Sequence, residues 1–256
     1  MFQKLKEVFP KQFRFVLLAV LLFWLKTYFA YLAEFSLGID GLYQSFLLFI
    51  NPIASTLLIL GLSLLFSNSK KGYRALLLFY FLNSLLLFSN ILYYREFSDF
   101  ITIKTVLSSS ATMTGLGATT FQILRVTDVF YWIDFAFLLW VYRKKVKTAE
   151  TEPPVKKRLA FTTILVSLLI FLANLGLAEI DRPQLLTRTF DRNYIVKYLG
   201  LNVYTLYDGI QTAQTNTIRA SADSSDLAPV LDYVDNHYAT PNEATFGQTK
   251  NRKMTE

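Results

Sequence analysis

Four residues set the chemistry this chain could do: Arg95 with Asp99, and Arg125 with Asp128. Each acid follows its arginine by four or three positions, the spacing that puts both on one face of a helix. All four lie within residues 89–134, between apolar runs long enough to cross a bilayer. A charge at the centre of a membrane helix costs roughly 2.5–3.5 kcal/mol on insertion scales. A chain that keeps several has found them partners or a polar ligand. The planar fork of arginine donates two parallel hydrogen bonds to a phosphate. Arg95 and Arg125 are therefore candidates to receive a lipid phosphate or sugar headgroup, with Asp99 and Asp128 orienting them. Tyr93 and Tyr94 could stack on a sugar, although a tyrosine at a membrane interface needs no ligand. Asp134 lies about 240° round a helix from Asp128 and addresses a different neighbour. Lys26 is the candidate partner for it, or for Glu34. The alternative is that these groups are interhelical ion pairs that fix packing register and hold no ligand.

Other chemistries are excluded by composition. There is no cysteine and one histidine, His237, so disulfides, thiolate sites and multi-histidine metal sites are ruled out. No glycine-rich phosphate loop, Ser-His-Asp set or carboxylate cluster with histidine occurs. The sequence thus supplies no catalytic residue and no metal ligand. Ala220-Ser221-Ala222 has the small-x-small form of a signal-peptidase processing site, a weak signal in a small, polar stretch.

The elements that position the charged groups are membrane helices. The 256 residues are 53% hydrophobic and 16% aromatic, with mean hydropathy +0.33, beyond the range of ordinary soluble domains. Five apolar segments near the ~20 residues a bilayer requires fall at about residues 15–35, 42–66, 75–93, 121–142 and 159–178. Asn51-Pro52 predicts a kink in the second. The fifth is the cleanest, with Asn174 its one strongly polar member. The N-terminal tail, the 67–74 turn and the 143–158 connection carry 4, 3 and 7 Lys and Arg, whereas the alternate connections carry none and two. This asymmetry predicts a cytoplasmic N-terminus, five alternating spans and an exported C-terminal segment. It also accounts for the net charge of +7 without nucleic acid. Residues 105–120, rich in Ser, Thr and Gly, read either as a segment dipping among the headgroups or as an exposed loop. Beyond residue 179, apolar positions at spacings near three to four (Leu185, Leu186, Phe190, Ile195, Tyr198, Leu199) with Arg188, Arg192 and Lys197 between them predict one or two short amphipathic helices on the outer leaflet. Packing of those helices on a soluble domain is the competing view. Gly200 marks a break before a further helix, and a short helix to about Tyr238 precedes an extended linker. The expected architecture is all-α: a five-helix polytopic membrane domain (1–179), then extracellular juxtamembrane helices and a linker (180–256).

Two runs, SNILYYREFSDFITI (residues 89–103) and RNYIVKYLGLNVYTLYD (residues 192–208), resemble the lipoteichoic acid synthases of Gram-positive bacteria. The resemblance implies the membrane half of an enzyme whose extracellular sulfatase-like domain transfers glycerol phosphate from phosphatidylglycerol onto a lipid-anchored polymer. It implies manganese or another divalent metal in that catalytic domain, which these residues do not include. It implies membrane lipids as partners, namely phosphatidylglycerol and the glycolipid anchor, with cell-wall or division proteins as further ones. It also adds weight to processing at Ala220-Ser221-Ala222. A related phosphoethanolamine transferase and a non-enzymatic membrane partner or small transporter are the alternatives.

Overall fold

The computed structural model describes residues 10–66, 69–109, 123–149, 155–188 and 191–225, and these contain helices and turns with no strand. Helix α1 (Lys11–Ala33) starts directly after Pro10, whose fixed φ and missing donor suit a helix entrance. Helix α2 (Gly41–Gly61) runs through Pro52 and continues as a 3-10 turn, Leu62–Leu65. Helix α3 (Ser69–Phe97) ends at Ser98, which adopts φ +52° and returns its N–H to the Tyr94 carbonyl at 2.8 Å. Then come α4 (Ile103–Ser109), a 3-10 turn at Val126–Val129, α5 (Phe130–Ala149), α6 (Lys157–Asp181), α7 (Leu185–Arg188), α8 (Arg192–Leu199) and α9 (Leu201–Ser225). The chain divides into two compact units, Met1–Asp208 and Gly209–Glu256. The described part of the second is the remainder of α9, where Thr215 and Thr217 hydroxyls donate to carbonyls one turn back.

In the first unit α2 packs along α6, and α1 packs on α2 and α3, with α5 against α3. Aromatic rings fill the α1–α3–α5 contact: Phe15 lies 5.3 Å from Tyr73, and Phe23 lies 5.4 Å from Tyr80. The outward faces are equally apolar. Leu17, Leu21, Leu25, Phe29 and Leu32 of α1 are exposed at helical spacing, as are Phe161, Leu165, Leu169 and Leu172 of α6. Helices apolar on every side belong in hydrocarbon. By length and composition, α1, α2 with its 3-10 turn, α3 and α6 can each cross a bilayer. Helix α5 is not in that set. It begins at Phe130 rather than near residue 121, carries Asp134, and runs into Arg143 and Lys144. The five-span expectation thus becomes four self-sufficient spans and a fifth long helix.

The largest departure from expectation concerns α8. Its residues Ile195–Leu199 are buried between α2 and α6, not laid along a lipid surface. The last carbonyls of an α-helix lack partners in the helix itself. Here Asn51 Nδ2 donates to the carbonyl of Lys197 at 2.8 Å and, more weakly, at 3.3 Å to that of Val196, which also accepts the Gly200 N–H at 2.9 Å; Asn174 Nδ2 donates to that of Tyr198 at 2.9 Å. Asn51 lies ten residues into α2, so α8 descends about 15 Å along it at 1.5 Å per residue. Gly200 turns the chain at φ +88°, and Tyr31 Oη accepts the Leu201 N–H at 2.8 Å. Helix α9 then climbs back, its Tyr207 Oη reaching the Leu186 carbonyl at 2.8 Å. Residues 192–208 thus form a helical hairpin seated against α2 and α6.

Candidate functional site

Arg95, at the end of α3, is the centre of the main polar cluster. Its guanidinium grips two carboxylates at once. Nε and Nη2 donate to Glu34 at 2.8 and 2.7 Å, and Nη1 and Nη2 donate to Asp128 at 3.0 and 2.7 Å. Side-chain exposure is 6% for Arg95, 10% for Glu34 and 6% for Asp128, so the cluster is sealed. Tyr131 Oη donates to Glu34 at 3.0 Å. Three elements are thereby tied together: the end of α1, the end of α3 and the entrance of α5. Burial raises the pKa of Glu34 and of Asp128, but hydrogen bonds and charge from Arg95, with Tyr131 and Arg125 contributing, outweigh it and hold both below the usual carboxylate range.

The pairing differs from the one sequence spacing suggests. Arg125 and Asp128 do not share a helix, because Arg125 is extended at the N-cap of the 3-10 turn. Asp128 accepts from the Arg125 backbone N–H at 2.8 Å, a capping contact, and gives its charge to Arg95. Asp99 likewise lies beyond the end of α3, where its partner is Arg192 at the start of α8. The Arg125 side chain is 61% exposed and stands 4.0 Å from Glu34, the loosest contact in the group. Tyr94 is buried, its Oη donating to Asn193 at 3.0 Å and accepting from the Ser36 N–H at 3.1 Å; Tyr93 packs on Phe97. Tyr94 is thus engaged in packing, whereas Tyr93 is half-buried.

Lys26 is paired with Asp134 at 2.7 Å, one of its two expected partners. The ammonium also donates to Ser84 Oγ at 2.8 Å and lies over the Phe23 and Tyr80 rings, while Tyr80 Oη donates to Asp134. Every buried pair of the α1–α3–α5 group is therefore interhelical.

The two signature runs face each other. Asp99 meets Arg192, Tyr94 meets Asn193, Tyr204 Oη donates to the Ile101 carbonyl at 3.2 Å, and Asp208 accepts the Ile103 N–H at 2.6 Å. Beside them, Lys197 is buried without an ion pair among the described residues, donating to the Gly38 carbonyl at 2.8 Å and Gln44 at 3.0 Å. Burial holds its pKa below the ordinary lysine value. Gln44 relays to Asp181, which also accepts from Tyr198 Oη. Residue spacing does not reveal Gln44, the burial of Lys197 or the capping role of Asn51 and Asn174. The available signal was an asparagine in mid-span, which marks a partner lacking its own hydrogen bonds. Ala220, Ser221 and Ala222 lie on the last turns of α9. Residues 110–122, His237 and the linker lie outside the described residues. Among the described residues no three His, Asp or Glu side chains gather as a metal site, so the implied divalent metal finds no donor set there.

A bundle of helices long and apolar enough to cross a bilayer, with sealed interhelical ion pairs and a helical hairpin packed on α2 and α6, defines a polytopic membrane domain. The chain belongs to the lipoteichoic acid synthase N-terminal domain family, whose model matches residues 1–221. It is 46% identical over 252 residues to lipoteichoic acid synthase 1 of Bacillus subtilis, covering 98% of this chain and 38% of that protein. It is 45% identical over 240 residues to lipoteichoic acid synthase 2 of Bacillus subtilis, covering 94% and 36%. With lipoteichoic acid synthase of Staphylococcus aureus it is 37% identical over 242 residues, covering 94% and 37%. The chain thus spans well under half the length of these relatives. No solved structure matches it.

Proposed function

We propose that this chain is the membrane part of a glycerol phosphate transferase of the lipoteichoic acid synthase type, and that it positions as well as anchors a catalytic domain outside the cell. The observation that supports this reading is the fastening of residues 192–208 into the bundle by Asn51, Asn174 and Tyr31. A plain tether would need none of those contacts. The basic connections orient the N-terminus to the cytoplasm and the Arg95 end to the outer leaflet, with α5 as the fifth crossing. At that outer end Arg125 is the group suited to a lipid headgroup phosphate of phosphatidylglycerol or the glycolipid-linked polymer, because Arg95 is fully engaged and Arg125 is not. Val126, Val129 and Phe130 beside it are apolar and exposed, which supports a position for its guanidinium at the lipid boundary.

The test is polymer yield in cells that rely on this protein, with its membrane level monitored. Arg125→Ala is expected to lower glycerol phosphate polymer several-fold, and Asn174→Leu to lower it by loosening α8, whereas Arg158→Ala leaves it unchanged. Wild-type polymer in both Arg125→Ala and Asn174→Leu would remove the reading.

A further inference from the structure

The opposite end of the bundle carries a second feature that the ion-pair cluster does not explain. Phe15 at the start of α1 packs on Tyr73 at the start of α3, and Tyr73 lies 6.4 Å from Tyr142 near the end of α5. Arg14, Arg74 and Arg143 are the immediate chain neighbours of these three rings, so the aromatic contacts gather three guanidinium-bearing positions at one end of the α1–α3–α5 group. None of the three side chains makes a hydrogen bond or ion pair among the described residues. Arg14 Nε is moreover buried without a partner. On α1, α2, α3, α5 and α6 every described carboxylate of the helix or its cap lies toward the other end: Glu34, Asp40, Glu96, Asp134, Glu179 and Asp181.

Membrane topology accounts for basic residues here, but not for a buried guanidinium N–H left unsatisfied, which costs free energy wherever no acceptor is supplied. Arginines carried at neighbouring helix ends can reach one phosphate and match its oxygen fork, and basic pockets between membrane helices hold anionic headgroups in this way. The apolar flank is ready for acyl chains, since Leu17 and Leu21 of α1 are exposed just inside Arg14. We propose that this end binds one anionic phospholipid, its phosphate held by Arg14 with Arg74 and Arg143, as a site separate from the headgroup position at Arg125.

The experiment compares thermal unfolding of the full chain in nanodiscs of dioleoylphosphatidylcholine with and without 20 mol% dioleoylphosphatidate, and counts phosphatidate retained in native mass spectra after transfer to detergent. In Arg125→Gln, which removes the outer headgroup position, one retained phosphatidate and a higher Tm are expected. Each single Arg→Gln change at 14, 74 or 143 added to it is expected to lower retention about fivefold, from roughly 1 kcal/mol per basic contact. Arg158→Gln, at an exposed basic position on α6, is expected to leave it unchanged, which separates a built site from general surface charge. Retention by the Arg125→Gln protein that survives Arg14→Gln, or that is lost equally in Arg158→Gln, would overturn the proposal. So would a wild-type Tm that does not respond to phosphatidate, or that responds equally to free inorganic phosphate. If a variant does not fold, the wild-type lipid comparison and the remaining single variants still decide.

Discussion

Replacing Arg95 by Ala is the most informative single perturbation. It removes four charge-assisted hydrogen bonds from Glu34 and Asp128, which stay 10% and 6% exposed. Arg125 stands 4.0 Å from Glu34 and can offset part of one charge; Asp128 keeps only the Arg125 backbone N–H. Removing one partner of a buried pair costs about 3–5 kcal/mol. Two carboxylates are stranded here, so the upper half of that range is expected. The assay is reversible unfolding in detergent, followed by helical signal. Arg95→Lys should recover little, because an ammonium cannot address both carboxylates with paired forks. Arg95→Met with Glu34→Gln and Asp128→Asn should recover most of the loss by removing the stranded charge. The pH dependence has a fixed sign. Both carboxylates have lowered pKa values in the folded protein, so their stabilisation is full above the unfolded values of about 3.9 and 4.3 and is lost as pH falls through the lowered folded ones. Without Arg95 the buried carboxylates gain by protonation instead. The gap between wild type and Arg95→Ala therefore narrows on acidification. A loss below about 1 kcal/mol, against the 3–5 expected for a buried pair, or a gap that widens toward acid, would refute the description of this cluster as a sealed lock.

Two further substitutions probe the rest of the bundle. Lys26→Leu leaves Asp134 with Tyr80 as its remaining side-chain partner and should cost about 3–5 kcal/mol. Lys26→Leu with Asp134→Leu should regain most of that, and a double variant no more stable than the single would show that the pair is not coupled. Gly200→Ala should cost at least about 1–3 kcal/mol through its φ of +88°. Its new Cβ would also come within 3.0 Å of Asn51 Oδ1 and 3.3 Å of Tyr31 Oη. Faster proteolysis between residues 182 and 208 would report release of the hairpin; unchanged proteolysis and Tm would contradict the tight turn.

Apolar runs and the spread of lysine and arginine foreshadow the all-helical membrane architecture, because lipid imposes one rule on every spanning residue. Lys26 with Asp134 was likewise legible, since an intramembrane lysine has few acids to choose from. The partners of Arg95 and Asp99 were not. Spacing of three and four predicts pairing only while the helix continues, and α3 stops at Phe97 whereas Arg125 precedes α5. Amphipathic spacing around Ile195 and Leu199 marked an apolar face but could not say whether lipid or protein covers it.

By itself, then, the sequence determined that the chain lies in a membrane and which family it resembles, since these follow from local composition and contiguous runs. Tertiary structure alone decided that Arg95 is consumed by Glu34 and Asp128, that Asn51 and Asn174 cap a helix about 145 and 24 positions away, and that the two signature runs form one contact. Those outcomes depend on which helix ends meet. Spacing within a segment carries no information about a partner contributed by another.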